Sequence, residues 1–160
     1  MDELPAAAVV LTQVAVPQAL AAACALQRLA VDVVPTPIGA LAWCRDTGDG
    51  APAAVARAVS ALIPAVPVLL LEQRDGQISA SRWSAGSEGT VMSPGLVLDG
   101  APPVVEQLLL GRTTAEDQSG VVTSVGMSRW RATRTLADIS RATRRAARTA
   151  RRDTGDEPSA

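Results

Sequence analysis

With 160 residues, 48% of them apolar and 19% charged, the chain is long enough for one domain with its own hydrophobic core and too short for two of ordinary size. Its net charge of −1 conceals an unusual side-chain menu: His, Tyr and Phe are absent, and all 15 cations are Arg. Without His or Lys there is no Ser-His-Asp or Cys-His nucleophile system, no Schiff base and no Walker A lysine, which points away from an enzyme and leaves carboxylate chemistry, a metal held by Asp and Glu, or an unassisted thiol.

The chain opens on acid, Met-Asp-Glu-Leu-Pro, where a secretory signal carries positive charge, and a cytoplasmic protein is expected. Residues 8–16 are rich in Val and Leu and read as a strand, after which Pro17 sits at the first position of a helix over residues 17–30. That helix is mostly Ala and Leu, so most of its circumference is expected to be buried. Residues 31–34 and 40–45 read as two further strands separated by Pro35, Pro37 and Gly39, and the second contains Trp43. Asp46-Thr-Gly-Asp-Gly50 is a turn, with Asp49 as the expected cap of a helix over residues 51–63 that Pro64 ends. Five residues with two carboxylates resemble part of a cation loop, but the further ligands at fixed spacing are missing, and the turn reading accounts for both Asp and Gly.

Residues 66–72 form the most strand-like run, and Asp75-Gly76 suits a type I′ hairpin into a partner strand over residues 78–83. Along that partner, alternation places Trp83 on the same face as Gln77, Ser79 and Ser81, with Ile78 and Ala80 facing the other way, which marks it as a candidate contact residue on a polar face. The pattern then loosens, so residues 85–90 are expected to be a mobile loop that could present backbone amides to a phosphate only without help from any Lys, and residues 96–98 a short strand. Pro102 and Pro103 start a helix with Val104, Val105, Leu108 and Leu109 on one face, stopped by Gly111. Cys24 and Cys44 fall within a buried helix and a strand and are expected to be reduced packing residues.

The order of elements predicts an α/β (α+β) fold: a split β-α-β, ferredoxin-like body with an added hairpin strand, one covering helix and a C-terminal Arg-rich amphipathic helix. Four regions are expected: an α/β body over residues 1–112, a linker over 113–127, a basic helix over 128–152 capped by Ser128, and a disordered tail over 153–160. The longest apolar run, near residues 62–71, is broken by Pro64 and Pro67 and far too short to cross a membrane.

Charge divides the chain at the start of the last helix. Residues 1–128 carry 6 Arg against 12 acids, a net of −6, and residues 129–160 carry 9 Arg against 4 acids, a net of +5. At about 100° per residue, Arg134, Arg141, Arg144, Arg145, Arg148, Arg151 and Arg152 fall within an arc of roughly 120°. Leu136, Ile139, Ala142, Thr143, Ala146 and Ala150 occupy the other side.

A face of this kind can bind phosphates with release of counterions, or stay solvated or pair with the acidic body while the apolar stripe docks on that body or on a second subunit. Peripheral membrane contact is disfavoured, since only Leu136 and Ile139 are large on the apolar side, although Trp130 supplies an interfacial ring near the helix start. The leading expectation is a non-enzymatic protein–protein interaction or assembly module that captures a protein partner or self-associates. Its contact residues would be Trp83, Trp130, Arg134, Arg141, Arg144, Arg145, Arg148 and Arg151. Nucleic-acid binding through the Arg face is the alternative, and a small-molecule-sensing regulatory domain a further one. No catalytic, cofactor-binding or metal-binding residue is nominated.

Overall fold

A computed structural model describes residues 4–155. In chain order the elements are β1 (Ala7–Leu11), α1 (Pro17–Leu26), β2 (Val31–Val34), β3 (Leu41–Cys44), α2 (Ala51–Leu62), β4 (Val68–Arg74), β5 (Gln77–Ser84), β6 (Ser87–Met92), α3 (Pro94–Gly100), α4 (Pro103–Leu109), β7 (Val122–Thr123) and α5 (Arg129–Gly155). The strands form one antiparallel sheet in the order β6-β5-β4-β1-β3-β2-β7. The inner four, β4-β1-β3-β2 with α1 and α2 as the crossovers, are compatible with the expected split β-α-β arrangement.

Both faces of the central strands are covered, which explains why β1 and β2 are buried along their whole length and why β1 reads as a continuous apolar run rather than an alternating one. One face presents Ala8, Val10, Val33, Ala42, Cys44 and Leu70 to Leu20, Ala21 and Cys24 of α1 and to Val55, Ala56 and Val59 of α2. The opposite face presents Val9, Leu11, Leu41 and Leu71 to Val97 of α3 and to Val105, Leu108 and Leu109 of α4. Gln73 is fully buried on β4 and its polar atoms are all used: Nε2 donates to the Pro5 and Leu109 carbonyls, and Oε1 accepts from the Gly76 amide. A polar side chain at that depth is tolerable because each of its groups is paired.

Several expectations need correction. Residues 85–90 are not a mobile loop. Ala85 and Gly86 both have positive φ, 50° and 82°, and so make a second I′-like hairpin into β6, whose turn is tied to α2 by the Gly86 amide donating to Ser60 Oγ at 3.0 Å. Residues 96–98 lie in α3 and not in a strand: Pro94 opens the helix after Ser93, Val97 faces the core and Leu96 faces solvent. Asp49 does not cap α2, because Gly50 takes the cap position with φ 74° and no side-chain bond is made there. Asp46 shapes that turn instead, accepting from the Gly48 amide at 2.8 Å.

The segment read as a linker is anchored at two points. Ala115 is buried in the α4 side of the core, and β7 adds to the sheet edge at β2. Immediately after β7, the Ser124 amide donates to the Val31 carbonyl, while Ser124 Oγ accepts from the Val31 amide and donates to the Leu29 carbonyl. The tail over 153–160 lies from residue 156 onward outside the described residues, and α5 runs as far as Gly155.

Candidate interaction surface

The anchor at Ser124 fixes where α5 begins. Ser128 caps it as expected, its Oγ accepting from the Arg131 amide at 3.1 Å. The first turns then lie against α1, with Ala132 fully buried beside Ala22 and Ala25, and with Leu136, Met127 and Leu26 packed around them. Small residues on both helices allow the two backbones to approach closely. The apolar stripe therefore docks on the protein's own body, but only over its first part.

Beyond Ile139 the helix leaves the body. Every residue from Ser140 to Asp153 is exposed. At about 1.5 Å of rise per residue, these fourteen positions project roughly 20 Å of helix into solvent. Arg141, Arg144, Arg145, Arg148, Arg151 and Arg152 all lie on this arm, and Arg134 stands at its base. Arg141 forms an open pair with Asp138 at 3.8 Å, with both side chains well solvated. Such a pair contributes little to stability and leaves the Arg face intact.

Trp130 is 70% exposed, and the Arg134 guanidinium sits 5.2 Å from its ring centroid. Its helical position falls inside the arc of the arginines, so one continuous face carries an open indole at its base and guanidinium groups along its length. The two large apolar residues on the other side, Leu136 and Ile139, are partly covered and are not presented outward.

Trp83 does not belong to this surface. Alternation places it correctly on the face shared with Ser79 and Ser81, but that is the face α2 covers, and Trp83 is only 3% exposed. Its indole Nε1 donates to Ser81 Oγ at 3.0 Å and Arg57 of α2 lies 5.8 Å from its ring. The structure brings Trp130 and the arginines together and leaves Trp83 in the core.

A second feature went unread in the sequence. Asp32 is buried on β2, and Arg45 holds it with Nε at 3.0 and 3.1 Å from the two carboxylate oxygens and Nη2 at 2.8 Å. That hydrogen bonding raises the Arg45 guanidinium above its ordinary range, and the charges of Asp32 and Glu116 add to it. Trp43 lies directly across from Asp32 in the β2–β3 register. The signal that could have revealed this group was the pairing of β2 with β3, which puts residues 32 and 43 side by side.

No family model, curated protein or solved structure matches the chain. Among the described residues no helix is long and apolar enough to cross a membrane, and no cluster of three metal-ligating side chains occurs.

Proposed function

We propose that the protein is a non-enzymatic interaction module whose α/β body carries a projecting arginine helix that engages an acidic protein surface, on a partner or on a second copy of the chain. One observation carries this reading: the face from Trp130 through Arg152 stands clear of the body, while the first turns of the same helix are fixed to α1. Trp and Arg are the residue types enriched at the energetic centres of protein interfaces, because each offers a large planar contact area with directional donors. Anchoring the base of the arm also lowers the ordering cost of engagement, since the helix is already extended from a fixed origin.

The test is a full-length variant with Arg141, Arg144, Arg145 and Arg148 replaced by Glu. All four are exposed, so the fold should be unaffected. The wild-type protein is expected to form a defined complex or homo-oligomer in sedimentation and affinity recovery that survives nuclease, and the variant to lose it at least about tenfold in affinity, or roughly 1.4 kcal/mol. Unchanged assembly in the variant would overturn the reading. Recovery abolished by nuclease and falling steeply with salt would transfer the same Arg face to nucleic acid, where each phosphate contact releases counterions.

A further inference from the structure

On the α4 side of the sheet, away from the arm, a cavity of about 420 Å³ opens beside Trp43. This lies within the usual range for small-ligand sites, about 300–1,000 Å³. Its floor is set by strand register: Val9 pairs with Trp43 across β1 and β3, and Trp43 pairs with Asp32 across β3 and β2, so Trp43 and Asp32 stand side by side on one face. Leu108 and Leu109 at the end of α4 form one wall, and Thr113 to Glu116 form another. The lining is therefore mostly apolar, with an indole and a few polar groups converging on it.

The charges in that lining decide the class of ligand. Asp32 and Glu116 both contribute, and among the described residues no cation lines the cavity. Arg45 binds Asp32 from outside the lining, so the three charges sum to −1. A carboxylate or phosphate entering here would meet two acids and no donor cation. A positively charged group would instead meet an indole, a carboxylate held in place by Arg45, and a second carboxylate at the rim, since Glu116 is exposed.

We propose that this cavity binds a small organic cation, an ammonium or amidinium group carried on a compact apolar body. The apolar part packs on Trp43, Pro5 and Ala6, which form the open part of the lining over the fully buried Leu108 and Leu109, while the charged end lies toward Asp32 and Glu116. Desolvation by the apolar walls strengthens the cation–indole contact and the attraction to the buried Asp32, while Glu116 at the exposed rim adds a solvent-screened attraction.

Benzylamine is a suitable probe and benzyl alcohol its neutral counterpart. The chain has three Trp, so the indole N–H region of a nitrogen-15 correlation spectrum holds three signals. Trp83 lies on the opposite face of the sheet and Trp130 on α5, and both serve as internal controls. Benzylamine is expected to shift the Trp43 signal saturably with a Kd of roughly 1 mM, and benzyl alcohol to bind about tenfold more weakly. Glu116→Gln, at an exposed position, should weaken benzylamine by about threefold at low salt, the scale of a partly solvated charge pair. A Trp43 signal that does not move, or equal affinity for the amine and the alcohol, would overturn the proposal.

Discussion

Cys24 and Cys44 each lie about 1% exposed on the α1/α2 side of the sheet, and burial pushes both thiols up to about 12 from 9.0. In the folded chain they stay protonated at a pH where the unfolded chain has already released both protons. The stability this confers is fully present below pH 9 and is lost as pH rises from 9 toward 12. With no Lys and no Tyr in the chain, no other side chain of ordinary pKa titrates in that window. Urea unfolding between pH 8 and 11 should therefore show a steep alkaline loss of stability that is largely absent in the Cys24→Ala/Cys44→Ala variant. An equally steep loss in that variant would show that the thiols are not its source. Their role as packing residues was legible from their place in apolar segments. The burial of Trp83 was not, because alternation assigns a residue to a face without saying what covers that face.

Turn chemistry at the level of elements was readable where both central residues were typical and unreadable where one was not. Asp75 and Gly76 adopt φ 53° and 77°, as Asp-Gly predicts for a tight hairpin, whereas Ala85 and Gly86 adopt φ 50° and 82° with an alanine in a conformation that crowds its Cβ against the backbone. Ala85 is exposed and nothing in its environment requires a methyl group. Ala85→Asn should stabilise the protein by about 1 kcal/mol, since Asn tolerates the left-handed region. Thermal or urea unfolding would measure this, and a destabilised variant would mean that the turn is not of this type. The same reasoning explains the missed strand β6: spaced glycines look flexible in one dimension, yet here Gly86 sits against Ala61 and its amide is held by Ser60 of α2. The Asp32–Trp43 neighbourhood escaped for a related reason, since residues eleven apart in sequence become neighbours only once the β2–β3 register is known.

The molecule as a whole divides into a body with a buried core on each face of its sheet and an arm, residues 140–153, that is exposed throughout, and the charge asymmetry of the sequence marks this division only approximately. The change of sign falls near residue 129, but the structural boundary lies about a helix turn or more beyond Leu136, because the first part of α5 is a component of the body. Two truncations should therefore behave differently. Ending the chain at residue 140 removes six arginines and three acids, taking the net charge from −1 to −4, yet removes no buried contact among the described residues. Its unfolding midpoint should match that of the full chain. Ending it at residue 127 uncovers Ala22 and Ala25 and deletes Ala132 and Leu136 from their packing, which should cost about 1–3 kcal/mol at the usual scale for burying a large apolar side chain. Equal stability of the two truncations would show that α1 does not depend on α5 for cover. A large loss already at residue 140 would show that the arm contacts the body in solution, in which case its arginines would be held against the protein's own acids rather than presented to a partner.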